Sequence, residues 1–371
     1  MTGLYIHIPF CKSRCIYCGF YSTTKLDLRQ QYVDALCQEM KIRCQGGDEV
    51  STIYLGGGTP SQLTIGQLQQ LFHHAYIYNK VKKDAEVTIE VNPDDVTEAF
   101  ANDLASLPVN RVSMGVQTFS NERLRLLHRR HTSEQVTMAV DRLRTAGIKN
   151  ISIDLIYGFP GETLVDWETD ISQALSLQVE HISTYCLMSE EGTPLHQMLK
   201  QGRLTETDEE LERRMYETLI QRLEAAGYEH YELSNFARRG FHSRHNRSYW
   251  DSTPYIGIGA AAHSYDIKSR SWNIDNIGQY IQGMTNGKRI YEEEQIDENT
   301  RYNDTITVAL RTAKGLDLST LSQKHRSYCL KNAQRFLHDK LLELTPDHHL
   351  RLTHRGLFVS DMVMSDLIFI P

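Results

Sequence analysis

The stretch Tyr5-Ile6-His7-Ile8-Pro9-Phe10-Cys11-Lys12-Ser13-Arg14-Cys15-Ile16-Tyr17-Cys18 decides how the rest of the chain is read. Its first half is a β-branched and aromatic run that meets a proline after Ile8, the pattern of a short strand. Its second half places Cys11, Cys15 and Cys18 on one loop in C-x3-C-x2-C spacing. The chain has seven cysteines, an odd number with three crowded into this loop. That is poor arithmetic for disulfides and good arithmetic for a metal or cluster. A structural zinc site closes with four ligands, and the next cysteine, Cys37, lies within a helical pattern. Three thiolates on one loop suit a [4Fe-4S] cluster with one iron open to an outside ligand, because a closed electron-transfer cluster takes four. Three unrelated thiols are the competing reading. Cys37, Cys44, Cys186 and Cys329 stand in apolar surroundings and read as core thiols.

Outward from that loop, to about residue 235, β-branched or aromatic runs alternate with longer segments of helical period. This alternation reads as repeated βα units around a parallel sheet. Strands are predicted at Leu4–Ile8, Thr52–Leu55, Glu86–Val91, Arg111–Gly115, Ser152–Ile156 and His181–Thr184, enough for a barrel left partly open. The predicted class is α/β. Two helices have ends written into the sequence: Thr132 with Gln135 forms a capping-box pattern closed by Gly147, and Thr207 with Glu210 repeats it ahead of Gly227. After about Phe236 the pattern loosens into Gly, Asn, Ser and Tyr-rich sequence. Helices return near Tyr302–Ala313, Leu318–Leu321 and Leu330–Leu342, followed by a short strand pair and a last helix. The chain thus divides into 1–235, a barrel; 236–299, a connecting region; and 300–371, a small helical domain of winged-helix character.

Composition narrows the function. With 40% hydrophobic and 23% charged residues over 371 positions, disordered, collagen-like and coiled-coil classes are excluded. The net charge of −7 argues against phosphate-backbone binding as the main task, so no nucleic-acid partner is expected. No window reaches 18 consecutive apolar residues, so no membrane span is expected. The first residues lack the apolar region and cleavage site of a signal peptide, which gives a cytoplasmic expectation.

Several polar or glycine positions fall at predicted strand ends, where α/β folds bind ligands. Gly56-Gly57-Gly58 follows the second strand, and its exposed carbonyls could accept hydrogen bonds from an ammonium; a plain turn is the alternative. Glu90, Gln117 and Asp154 lie at or beyond three further strand ends, where each could equally be a turn residue. Gly257-Ile258-Gly259-Ala260-Ala261-Ala262 matches a dinucleotide-binding pattern, but outside a βαβ unit, and is not read as such a site. It reads as a small-residue loop that could line the cavity.

The three-cysteine loop with Tyr17 before its last cysteine resembles the radical S-adenosylmethionine (SAM) superfamily. Tyr5 to Cys11, Gly56-Gly57-Gly58-Thr59-Pro60, Gly115-Val116-Gln117-Thr118-Phe119 and Asp154 to Gly161 extend the resemblance to the branch that contains oxygen-independent coproporphyrinogen III oxidase. The resemblance implies a partial (β/α)6 radical SAM barrel with a smaller C-terminal α+β, winged-helix-like domain. It implies that Cys11, Cys15 and Cys18 hold the cluster and that SAM takes its open iron. Tyr5, Gly57, Gly58, Thr59, Glu90 and Gln117 would contact SAM, Arg129 would pair with its carboxylate, and Asp154 would hold its ribose hydroxyls. The other cations near Arg129, namely Arg123, Arg125 and Arg130, read as a solvated helix face.

Within the branch, the oxidase is expected to carry a fourth cysteine two residues after the third. Here that position is Phe20. The oxidase is also expected to have a longer segment ahead of the first strand. Both departures match the related heme chaperone family HemW, as does His245-Asn246-Arg247-Ser248-Tyr249-Trp250, an H-N-x-x-Y-W motif. This resemblance implies that the chain binds heme, with His245 as iron ligand, and delivers it to apo-hemoproteins such as respiratory enzymes. It also implies a low-potential electron donor of flavodoxin or ferredoxin type. From spacing alone His245 could instead cap a turn while Trp250 fills the core. The competing functions are oxidative decarboxylation of coproporphyrinogen III and, more remotely, SAM-dependent RNA modification.

Overall fold

Strand β1 (Thr2–Ile8) is buried along nearly its whole length, as a central strand of a parallel sheet is. The computed structural model describes residues 2–44 and 49–370. The chain continues through α1 (Arg29–Arg43), β2 (Glu49–Gly57), α2 (Ile65–Tyr78), β3 (Lys80–Val91), α3 (Glu98–Ala105) and β4 (Arg111–Gln117). It then forms α4 (Asn121–Leu126), α5 (Ser133–Thr145), β5 (Asn150–Tyr157), α6 (Leu164–Ser176) and β6 (His181–Cys186). Strands β1 to β6 pair in sequence order and all run parallel. Their carboxyl ends therefore share one rim, as in a barrel.

Beyond β6 come α7 (Pro194–Lys200), α8 (Glu209–Ala225), β7 (Glu229–Glu232) and β8 (Asn235–Ala237), the last antiparallel to β6. Next are α9 (Arg244–Trp250), β9 (Tyr255–Ile258), β10 (His263–Tyr265), β11 (Ser269–Asn273), α10 (Ile277–Thr285) and β12 (Tyr291–Gln295). The sheet order is β12-β11-β10-β9-β1-β2-β3-β4-β5-β6-β8-β7. The stretch 236–299, expected as a loosely patterned connection, thus extends the same sheet past β1, with β9 parallel to it. Buried Glu39 of α1 ties this extension down. Its carboxylate accepts the Gly259 N–H (2.9 Å), the Tyr280 hydroxyl (2.6 Å), the Asn273 amide (2.8 Å) and Arg43 (2.9 Å). A buried charge so fully bonded offsets its own desolvation. The Gly257–Ala262 turn accordingly packs on α1: Gly259 sits at φ 112° under the Tyr32 hydroxyl, and the turn does not line the cavity at the barrel rim.

Helix ends follow local hydrogen bonding. The Thr132–Gln135 box caps α5, and Gly147 leaves it at φ 95°. At α8 the expectation is corrected by one residue. Asp208 is the cap, accepting the Glu210 and Leu211 N–H groups, while the Thr207 hydroxyl donates to the Gly158 and Phe159 carbonyls. On α6, Thr163 Oγ1 accepts the Asp166 N–H (3.2 Å) and the Asp166 carboxylate accepts the Thr163 N–H (2.9 Å). Thr163→Ala is expected to cost about 1 kcal/mol, read as a lower urea midpoint at unchanged slope; an unmoved midpoint would refute it.

The last segment holds α11 (Glu298–Ala309), β13 (Leu316–Asp317), α12 (Gln323–His338), β14 (Leu342–Leu344), β15 (His349–Leu352), α13 (His354–Leu357) and α14 (Ser360–Leu367). Its sheet runs β13-β15-β14. It has a core of its own, built on Tyr302, Ile306, Phe336, Leu350 and Leu367.

Candidate metal and ligand site

At the carboxyl ends of β1 to β6 the barrel opens into a cavity of about 460 Å³. The loop after β1 forms one wall and is held by backbone bonds. Cys11 N–H donates to Thr23 O (2.9 Å), Ile16 N–H to Leu127 O (3.3 Å) and Leu195 N–H to Ile16 O (2.9 Å). Cys11, Cys15 and Cys18 are free, half-buried thiols on the cavity wall. Burial pushes the thiols of Cys11 and Cys18 up, so as bare ligands they favour protons until a metal competes for the sulfur. Polar groups already aim at two sulfurs: Thr59 Oγ1 lies 3.6 Å from Cys11 Sγ, and Arg129 Nη1 lies 3.6 Å from Cys15 Sγ. Hydrogen bonds to sulfur are how a protein tunes an iron–sulfur cluster. Among the described residues no three His, Cys, Asp or Glu side chains converge on a point that would hold a single ion. A [4Fe-4S] cluster asks for something different, three thiolates each on its own iron, and the donor set fits it.

The expected ligand contacts gather on the same cavity. Tyr5, Gly57, Gly58, Thr59, Glu90, Gln117, Arg129 and Asp154 all line it. Glycine is needed at 57, where φ is 111° and a Cβ would run into the His7 ring. Glu90 Oε1 accepts the Tyr54 hydroxyl (2.7 Å) and Oε2 accepts the Gly57 N–H (3.0 Å). Burial, opposed by these bonds, holds its carboxyl up at about 7. Burial also raises Asp154, which has Ser113 Oγ at 3.5 Å. Gln117 ends β4 at φ 69°, a left-handed conformation costly for a non-glycine residue, where the register of β4 on β5 slips. Arg129 reaches in from beyond α4 and donates to Asn92 Oδ1 (2.8 Å) and the Gly115 carbonyl. The Tyr5 hydroxyl lies 2.9 Å from His7 Nδ1, and His7 Nε2 lies 3.1 Å from the Tyr21 carbonyl. Burial lowers His7 to about 4. The neutral ring therefore donates from Nε2 to Tyr21 and accepts from Tyr5 at Nδ1.

His245 is elsewhere. Gly3, Thr52 and Glu86 form one layer across β1, β2 and β3, and α9 lies against it. The Glu86 carboxylate accepts the N–H groups of Arg244 and His245, each at 2.9 Å. The His245 ring is 1% exposed. Its Nδ1 sits 2.8 Å from Thr52 Oγ1 and its Nε2 3.0 Å from the Tyr249 hydroxyl. The ring stacks on Tyr54 at 5.0 Å, and Tyr54 and Tyr5 separate it from the cavity. Burial, with Arg111 second, lowers it to about 3. The His245 ring, expected as the iron ligand, is buried here with both nitrogens hydrogen-bonded.

Other residues escaped the sequence reading. Asn92, in the Asn-Pro turn after β3, positions Arg129. Arg130 pairs with Asp94 (2.7 Å) and Asp95 (3.2 Å), and Arg123 with Asp166 (2.9 Å), so neither is a free surface cation. Cys186, expected in the core, lines the cavity.

Residues 5–174 match the radical SAM superfamily. The chain is 35% identical to the heme chaperone HemW of Bacillus subtilis over 98% of both chains. It is 36% identical to that of Lactococcus lactis, over 88% of this chain and 85% of the relative. It is 32% identical to that of Mycobacterium tuberculosis H37Rv, over 99% of this chain and 94% of the relative. Among solved structures, Escherichia coli coproporphyrinogen III oxidase superposes with a TM-score of 0.86 over 99% of this chain and 90% of its own, at 24% identity. At that identity the match establishes the fold. No helix among the described residues is long and apolar enough to cross a membrane.

Proposed function

The chain belongs to the heme chaperone family HemW within the radical SAM superfamily, and from that premise we propose that it binds heme and delivers it to apo-hemoproteins. The observation that carries this reading is the full-length identity to curated heme chaperones, at 35% over 98% of the chain. Phe20, where the decarboxylating oxidase is expected to have a fourth cysteine, points the same way.

In this reading Cys11, Cys15 and Cys18 hold a [4Fe-4S] cluster, which supplies one-electron chemistry and an open iron for SAM. Glu90 and the carbonyls of Gly57 and Gly58 receive the SAM ammonium, Arg129 its carboxylate and Asp154 its ribose hydroxyls. Tyr5, Thr59 and Gln117 complete the wall. Respiratory enzymes are the acceptor class we propose, a flavodoxin or ferredoxin the electron donor, and the cytoplasm the site of action.

Anaerobic titration of cluster-loaded protein with heme should give a saturable Soret change at one heme per chain. An apo-hemoprotein added afterwards should remove that heme. Catalytic conversion of coproporphyrinogen III to protoporphyrinogen would establish the decarboxylase instead, a reading with which the shared fold is consistent.

A further inference from the structure

Heme needs apolar surface for its faces, a cation for its propionates and a ligand for its iron, and α9 offers the third only from within the core. The mouth of the cluster cavity offers all three at its surface. Phe20 is 72% exposed, Met188 69% and Tyr185 44%. All three line the one cavity, although they come from separate segments, the cysteine loop and the end of β6. The two segments touch, since the Glu190 carboxylate fills the space beside Gly19. Large apolar side chains left exposed together around an opening mark a binding surface.

The polar groups of the same rim complete the match. His128 lines the mouth with an exposed imidazole and φ of 60°; its backbone is engaged, the N–H donating to the Arg125 carbonyl and the carbonyl accepting from Ser13 Oγ, and neither bond uses the ring. Arg14 is exposed at the rim, and among the described residues no carboxylate lies within ion-pair distance of it. Glu190, beside Gly19, is an acidic group of the same wall.

We propose that heme docks at the mouth of the cluster cavity, one face on Phe20 and Met188, a propionate toward Arg14 and the iron toward His128. The proposal rests on the heme-carrying function above and gives it a place. His245 then acts as the floor of the barrel beneath Tyr54, a positioning residue with no contact to heme.

The test titrates ferric heme into the full chain and follows the Soret band and the low-spin electron paramagnetic resonance signal. The variants are His128→Asn, which tolerates the left-handed backbone, Phe20→Ser with Met188→Gln, and His245→Phe, each checked for melting. The expected result is at least about tenfold weaker binding for the rim double variant, the worth of 1.4 kcal/mol, and loss of the nitrogen-ligated spectrum in His128→Asn. His245→Phe should keep both affinity and spectrum while melting earlier. Unchanged titrations in the rim variants, or a loss confined to His245→Phe, would overturn the proposal. So would rim variants that bind heme normally but fail to deliver it, which would make the rim an acceptor dock, or that dissociate a dimer with heme binding intact. Wild-type protein that takes up no stoichiometric heme would overturn the chaperone function itself, an outcome distinct from all of these.

Discussion

Cys15→Ser is expected to abolish the cluster while leaving the fold standing. The loop has three thiols on the cavity wall, and the other thiol on that wall, Cys186, belongs to the end of β6 and lies outside the motif. A serine hydroxyl stays protonated where a thiol ionises, and it is a hard donor where iron–sulfur chemistry uses thiolate. Loss of one ligand of three leaves two, too few to hold a cubane against exchange. Iron per chain should fall from about four to a small residue, the charge-transfer absorption should vanish, and SAM binding should weaken by at least about tenfold, or 1.4 kcal/mol. The melting temperature of the metal-free protein should barely move, because the loop is tied by backbone bonds at Cys11, Ile16 and Leu195 and a serine oxygen at 15 still offers Arg129 an acceptor. Full iron retention in Cys15→Ser would place the cluster elsewhere in the chain.

The parallel half of the molecule was legible because its strands are long, buried and β-branched, and because helices separate them at regular intervals. All six predicted strands form, each within a somewhat longer element. The other half of the sheet was not legible for physical reasons. Strands β8 to β12 have three to five residues, and every residue of β12 is exposed. Such strands carry too few residues for a period-two pattern to emerge. The extension from β9 to β12 is tied to α1 by the non-local bonds of Glu39, which no window of sequence displays.

The candidate site divides along the same line. Spacing finds residues that share one loop, such as the three cysteines, and strand-end position finds Glu90, Gln117 and Asp154, all on the cavity wall. Depth is what it misses. The H-N-x-x-Y-W motif marks a chemically distinctive helix, yet only the packing of α9 against Thr52 and Glu86 turns His245 inward. Cys186 errs in the opposite sense, reading as core and lying on the cavity wall.

SAM affinity of the cluster-loaded protein is expected to rise about tenfold between pH 6 and pH 8, the ratio of ionised fractions for one group centred near 7, and Glu90→Gln should remove that rise. Burial holds the Glu90 carboxyl at about 7, above its ordinary range, even though Tyr54 and Gly57 donate to it. In the free protein a raised carboxyl binds a proton that the unfolded chain has already released. Its contribution to stability is therefore present at low pH and is lost as pH climbs through 7. A bound ammonium reverses the preference by pairing with the carboxylate, so binding releases the proton and strengthens as pH rises. The stabilisation of the fold by SAM should accordingly grow over the same window. Tyr54→Phe, which deletes one donor to the carboxylate, should move the midpoint to higher pH. Equilibrium dialysis at constant ionic strength measures all three proteins. The Gln variant isolates the side chain, because titration of the ligand's own amine persists in it. A wild-type profile that Glu90→Gln reproduces would remove Glu90 from the ammonium site and leave the glycine carbonyls to bind it alone.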